Sequence, residues 1–176
     1  MKVFKFGGAS VSSAEAVRNS VNILKMYPGN KVLVISAMGK TTNALEIVAR
    51  KYFNQDAEVW TIFKEVKAYH DGIIAELWGE SIELLEVEKM FAILSARIKG
   101  ERSMNFDYEY DQIVAFGEVI SNHIISLYFN KIGLKNKWVD VRNCLKTDDQ
   151  YRESNINWEL SERLAKRMFT FESDDL

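Results

Sequence analysis

The chain has 176 residues, with 23 Lys+Arg against 25 Asp+Glu, 47% hydrophobic and 27% charged residues, as in an ordinary globular protein of one domain or one and a fraction. A formal net charge of −2 without a basic tract argues against a dedicated nucleic-acid binder, and no apolar run approaches the ~18 residues that suggest a membrane span. The single cysteine, Cys144, excludes an internal disulfide and a cysteine-based zinc cluster; the opening MKVFKFGG is too short an apolar stretch for a signal peptide, so a reducing cytoplasm is expected.

Residues 2–6, KVFKF, alternate and are rich in β-formers, so they predict a strand that Gly7-Gly8 breaks. Ser12 or Ser13 then caps a helix with Glu15 in its first turn and Ala14, Val17, Val21 and Leu24 on one face. Tyr27-Pro28-Gly29-Asn30 makes a turn, and KVLVI at 31–35 predicts a parallel strand buried on both faces. Strand, helix and strand form a βαβ unit. Pro28 is the only proline, which leaves room for long uninterrupted helices.

Helical patterns follow at 41–53, at 57–78 (Val59, Ile62, Phe63, Val66, Ile73, Leu77) and at 80–99 (Leu84, Val87, Phe91, Leu94, Ile98). Lys99-Gly100-Glu101 closes the last of these. The two later patterns predict a helical insertion over 55–103, with its charges on a solvated face. One long helix is expected over 108–130, with Ile113, Ile120, Ile124 and Leu127 inward and Gly133 at its end. KWVDV at 137–141 predicts a further strand, and Cys144–Thr147 another short one. Residues 157–170 predict a last helix, and ESDDL an acidic frayed end. The class is α/β with a helical insertion.

Four segments carry chemistry. In Lys5-Phe6-Gly7-Gly8-Ala9-Ser10 a lysine stands near the carboxyl end of a strand, where α/β sheets bind ligands. Its glycines let backbone approach an anion, and the following helical N–H groups suit phosphate; an exposed lysine on a glycine turn is the plainer reading. Ser36-Ala37-Met38-Gly39-Lys40-Thr41-Thr42-Asn43 is a hydroxyl-rich loop opening a helix, which Thr41 or Thr42 would cap. It is not a P-loop, because that pattern needs a glycine five positions before Gly39 and position 34 is valine. Gly117-Glu118 puts a glycine inside a helix, at a cost of ~1 kcal/mol against alanine, which suggests close approach by another backbone or a ligand. Glu118 beside it suits an ammonium group. Asp140-Val141-Arg142 and the loop Thr147-Asp148-Asp149-Gln150-Tyr151 form the fourth. There Asp148-Asp149 could bind magnesium, or serve as a solvated turn.

His70 and His123 have no ligand-like spacing. Cys144 reads as a small buried hydrophobe, and Trp60, Trp78, Trp138 and Trp158 read as core.

Taken in order, the four segments resemble the aspartate kinase family. Its K-F-G-G-[ST]-S-V opening corresponds to Lys5 through Val11 and its V-[VIL]-S-A-x-x-x-x-T-N segment to Val34 through Asn43. Its G-E corresponds to Gly117-Glu118, and its D-V-R strand with the T-D-D-x-[FY]-like loop to Asp140 through Tyr151. The resemblance implies the amino-acid kinase fold, a three-layer αβα sandwich. It further implies transfer of the ATP γ-phosphate to the β-carboxylate of L-aspartate with Mg2+, in lysine, threonine and methionine biosynthesis. By this resemblance Lys5 is the catalytic cation. Lys5, Gly7, Gly8 and Ser10 contact the phosphoryl group, while Ser36, Thr42 and Glu118 hold aspartate, with Glu118 on its ammonium group.

Three departures accompany it. Ala9 stands where the family has Thr or Ser. An arginine that grips the aspartate carboxylate in some members aligns with Glu153, with Arg152 one residue early. No second lysine and T-x-x-G-R-G-G-S-D segment follows, so residues 1–176 read as the substrate-binding part of a kinase domain, inactive alone. A same-fold kinase for another substrate and a non-catalytic binding or assembly module are the alternatives. A homo-oligomer is expected from an uncovered sheet edge.

Overall fold

The computed structural model describes residues 1–170; the acidic end ESDDL lies outside them. Strand β1 (Lys2–Phe6) and strand β2 (Lys31–Ile35) pair in parallel, with Lys2 opposite Lys31 and Phe6 opposite Ile35. Helix α1 (Ala14–Lys25) connects them. Ser13 caps it, its hydroxyl accepting from the Ala16 N–H at 3.1 Å, and Ala14, Val17, Val21 and Leu24 are buried. The predicted βαβ unit is present, with Gly29 at φ +86° in the turn before β2.

The two strands turn one face inward. Phe6 is buried, and Phe4, Leu33 and Ile35 pack against the core. Val3 and Val34 point the other way and stay 65% and 50% exposed. The expectation that β2 is buried on both faces is therefore corrected: among the described residues, the helices cover one face of the sheet.

Helix α2 (Thr41–Phe53) packs on α3 (Val59–Trp78) and on α5 (Phe106–Val114). Helix α4 (Leu85–Lys99) packs on α6 (Phe116–Lys131). The expected inward positions of α3 and α4 are buried, apart from half-buried Ile62 and Leu84. The Phe63 and Phe91 rings meet edge-on at 6.1 Å between the two helices. Helix α3 stops at Gly79, whose φ of +81° suits the left-handed C-terminal position. The third pattern starts at Leu85 rather than at 80, since residues 81–84 form no regular element and Leu84 is extended.

The expected single helix over 108–130 is two. The break falls on Ala115, between Val114 and Phe116. Asn105 starts α5 by accepting from the Asp107 and Tyr108 N–H groups. No strand forms at 137–141. Strand pairing needs a free edge with matching N–H and C=O groups, and this segment lies on α6, with the Trp138 ring 4.0 Å from that of His123. Asp140 instead caps a short 3-10 turn, Val141–Asn143. The second expected strand is reduced to one antiparallel bridge between Thr147 and Ile156. Helix α7 (Trp158–Met168) begins at an Asn157 cap. Trp158 is 71% exposed, so it is not core, although buried Ser161 stands only three residues further along the helix. Cys144 is buried, its thiol turned to the Val141 carbonyl.

Two buried polar groups tie the helices together. Glu109 of α5 is fully buried. Its Oε2 accepts from Arg97 Nε and Nη2 of α4 at 3.0 and 2.7 Å, and its Oε1 from the Ser103 N–H at 2.6 Å. His70 of α3 is also fully buried; its Nδ1–H donates to the Val66 carbonyl at 2.7 Å. Its other nitrogen, Nε2, faces Thr41 Oγ1 at 3.5 Å. Burial holds the His70 pKa below the ordinary value, against the opposing effects of the Val66 carbonyl and Asp71.

Two outcomes follow for stability. Glu109→Gln replaces charge-assisted hydrogen bonds with weaker ones and should cost about 2 kcal/mol in urea unfolding. For His70 the unfolded chain binds the proton more readily than the native one. Its stabilising contribution is therefore complete above an unfolded pKa of about 6.5 and falls away at lower pH, by at most ~1.4 kcal/mol per pH unit. Urea midpoints between pH 7 and 5 should fall in the wild type and fall less in His70→Gln.

Candidate functional site

Because β1 and β2 are parallel and in register, both chains leave the sheet at the same edge. The edge beyond the strands' carboxyl ends is where α/β folds hold ligands. The two departing loops are bonded to each other. The Ser36 N–H donates to the Phe6 carbonyl and the Gly39 N–H to the Gly8 carbonyl, both at 3.0 Å.

Gly8 is required by this contact. A Cβ there would lie 2.8 Å from the Gly39 carbonyl oxygen and 3.0 Å from that of Ala37. Both neighbours are backbone and cannot turn aside. Gly7 differs: a Cβ there would meet Lys5 Nζ at 3.6 Å, an ordinary contact with a flexible side chain. The exposed Lys5 thus lies over Gly7, as a cation beside a glycine turn. The Ser10 N–H is committed to the Gly7 carbonyl at 2.9 Å, while its side chain lies on an exposed residue.

Helix α6 closes on the second loop. A Cβ on Gly117 would stand 3.0 Å from the Ala37 Cβ, 3.4 Å from Leu45 Cδ1 and 3.5 Å from Thr41 Cγ2. The close approach expected of Gly117 is present. Its placement is corrected, because it is the second residue of α6 and not mid-helix. The next side chains along α6 hold two successive peptide units, 35–36 and 36–37. Asn122 Nδ2 donates to the Ile35 carbonyl at 3.0 Å and the Ser121 hydroxyl to the Ser36 carbonyl at 2.8 Å. The Ala37 N–H donates to Glu118 Oε1 at 3.4 Å. Glu118 is exposed in the first turn of α6, where the helix dipole favours a carboxylate.

The second loop keeps Ser36 and Thr42 half-buried. Neither Thr41 nor Thr42 caps α2 through its side chain. The Thr41 hydroxyl instead donates backwards to the Met38 carbonyl at 2.6 Å. Gly39 sits at φ +55° with the Tyr69 hydroxyl against it. That hydroxyl donates to the Ser12 carbonyl at 2.6 Å. Tyr69, Ser121 and Asn122 had no sequence signal: each is a lone polar tip on a helix face, directed at backbone.

The fourth segment is engaged elsewhere. Arg142 forms a two-pronged pair with Asp140, whose carboxyl it holds below the ordinary range. Asp148 accepts from Asn155 Nδ2 and from the Gln150 and Asn155 N–H groups, so its carboxylate shapes its own loop. The Arg152 N–H donates to Asp111, its guanidinium pairs with Asp107 at 3.1 Å and its Cζ lies 4.5 Å over the Tyr110 ring. All three partners are on α5. Glu153 is exposed. A shallow groove of about 560 Å³ lies at the far end of α2, lined by residues such as Tyr52, Trp60, Lys99 and Arg102, and it contains none of the expected site residues. Among the described residues, no cluster of three or more His, Cys, Asp or Glu could hold a metal ion, and no helix is long and apolar enough to cross a membrane.

A parallel βαβ unit with a glycine loop under a lysine, and a helix N-terminus gripping the neighbouring loop, meets the amino acid kinase family in sequence as well. That family's profile matches residues 1–171, and the chain belongs to it. It is similar to aspartokinase 2, chloroplastic, of Arabidopsis thaliana, with 34% identity over 155 residues covering 84% of this chain and 28% of that protein. Aspartokinase 1, chloroplastic, of the same plant is 32% identical over 178 residues, covering 95% of this chain and 30% of that protein. The chain thus spans under a third of the length of these relatives. Its fold superposes on E. coli aspartokinase III in complex with aspartate and ADP with a TM-score of 0.84, at 21% identity, over 95% of this chain and 37% of that one. For Clostridium acetobutylicum aspartate kinase the TM-score is 0.74 at 19% identity, covering 96% and 36%.

The two adjacent glycines should respond differently to a methyl group. Gly8→Ala forces backbone apart and should cost about 1–3 kcal/mol. Gly7→Ala should stay within about 0.5 kcal/mol of wild type. Urea unfolding of both variants makes the comparison.

Proposed function

We propose that this chain is the aspartate-holding part of an aspartokinase. It would position the β-carboxylate of L-aspartate to attack the γ-phosphorus of ATP, with ADP leaving. The observation that carries the reading is the convergence of the Lys5–Gly8 turn, the Ser36–Thr42 loop and Glu118 at one sheet edge. It does so in a chain more than 30% identical to two plant aspartokinases.

Each group has a role its chemistry suits. The exposed Lys5 ammonium would offset charge on the transferring phosphoryl group. Gly7 and Gly8 would let that group approach backbone without a Cβ in the way. Ser36 and Thr42 hydroxyls would donate to the aspartate carboxylates, and Glu118 would accept its ammonium group. Phosphoryl transfer depends mainly on positioning and charge stabilisation, so such a site needs no covalent intermediate. Mg2+ would neutralise phosphate charge when bound; the described residues supply no side-chain cage for it, and none of these side-chain roles depends on it. The fourth segment takes no part in this proposal, since Arg152 is committed to α5.

Aspartate binding is the readout suited to a chain matching under a third of its relatives' length; phosphotransfer by the 176 residues alone is expected to be negligible. In an NMR titration, L-aspartate should shift amides of residues 36–42 and 117–119. Glu118→Gln should weaken binding about tenfold, the loss expected for one charge-assisted bond, with an unchanged unfolding midpoint. Wild-type affinity in Glu118→Gln, or aspartate shifts confined to other segments, would sink this reading.

A further inference from the structure

We propose that Tyr69 is a positioning residue: its hydroxyl holds the two glycine loops of the site at a fixed spacing, so that helix α3 fixes how the loops sit against each other. The link to substrate rests on the function proposed above; the link between loops stands on geometry alone.

Three contacts close a triangle. The Gly39 N–H donates to the Gly8 carbonyl at 3.0 Å and joins the loops directly. The Tyr69 hydroxyl donates to the Ser12 carbonyl at 2.6 Å, at the far end of the first loop, before α1. The same oxygen lies 2.5 Å from where a Cβ on Gly39 would be, and Tyr69 Cζ lies 3.3 Å from that point. With the Ser36 N–H bond to Phe6, two bonds join the loops, both on the strand side; Ser12, at the far end of the first loop, is held to the second loop through Tyr69. The hydroxyl also occupies the space that any larger residue at position 39 would need.

Tyr69 is not there to fill the core. Helix α3 buries Val66, His70, Ile73, Ile74 and Leu77, whereas Tyr69 stays 38% exposed. Its contribution is therefore concentrated in the polar tip. Partial burial raises its pKa, so the hydroxyl stays a donor at neutral pH. The neighbouring His70 reaches Thr41 at the start of α2 and meets the Tyr69 ring edge-on at 5.2 Å. Consecutive residues of one helix thus touch the first loop, the second loop and the helix that the second loop opens.

The test is Tyr69→Phe in the 176-residue chain, which keeps the ring and removes the oxygen. Amide hydrogen exchange at Gly39 should accelerate about tenfold, since its bond to Gly8 loses its support, while exchange at Leu94 in α4 and the urea midpoint should stay as in wild type. A structural role alone would move all three together. L-Aspartate affinity should fall three- to tenfold. A second variant checks the contact itself. Gly39→Ala should lose affinity, and adding Tyr69→Phe should restore part of it, because the methyl group then meets no hydroxyl. Unchanged Gly39 exchange in Tyr69→Phe, or simply multiplied losses in the double variant, overturns the proposal. If wild type binds no aspartate, the function proposed above fails, while the exchange measurement still decides the positioning role.

Discussion

The contact between the Gly8 and Gly39 turns is the constraint on which the rest depends. Two backbones leaving neighbouring parallel strands come to hydrogen-bonding distance with no side chain between them. That geometry removes the gap that side chains would fill at the end of β1 and β2. It leaves peptide groups where apolar packing cannot satisfy them. The surrounding helices supply the missing partners. Helix α6 brings a glycine for approach, then a hydroxyl and an amide for the carbonyls of Ile35 and Ser36. Helix α3 brings Tyr69 for Ser12. Polar groups cluster at this edge first because buried backbone demands them, and Lys5 and Glu118 are exposed at the same edge, Glu118 while accepting from the Ala37 N–H.

Behind the edge, the helices are fastened by a few buried polar groups set in a large apolar core. Glu109 joins α4, the turn after it and α5 through three hydrogen bonds. Its partner Arg97 is partly exposed, so the pair escapes the full desolvation cost of a dry ion pair. His70, neutral, fills the space between α3 and α2, its Nδ1–H on the Val66 carbonyl and its Nε2 3.5 Å from the Thr41 hydroxyl. These links matter for the site because α2 starts at Thr41, inside the second loop. Any shift of α3 or α5 against α2 moves that loop.

Much of this was legible in the residues. Apolar spacing located α1, α3 and most of α4 with their buried faces, and α2 by its range alone. Lys5, Gly7-Gly8 and Ser36 were picked out by glycines, charge and hydroxyls after strands, and Glu118 by a glycine in the expected helix interior; the Gly8, Ser36 and Glu118 segments do come together. Errors have distinct physical origins. KWVDV has strand composition, yet a strand exists only with a partner, and Trp138 found α6 instead. The break at Ala115 leaves helical dihedrals on both sides, so no breaker residue announces it. Trp158 stands at the first position of its helix, where size does not determine which way the ring faces. Tyr69, Ser121 and Asn122 were missed because their partners are carbonyls, which every residue possesses.

That last point bears on how the fold persists across distant sequences. The chain keeps a TM-score of 0.84 with a protein only 21% identical. Contacts between side chains and backbone, or between two backbones, constrain one partner's identity at most. The Gly39 N–H bond to Gly8 would survive change at most neighbouring positions. Ala9 illustrates this: the family pattern has a hydroxyl there, but the residue is exposed and its loss leaves the loop contact intact. Gly8 and Gly117 have no such latitude, since each would place a Cβ about 3 Å or less from an atom with nowhere to go. A site built this way tolerates drift in its surroundings while a handful of small residues hold its shape.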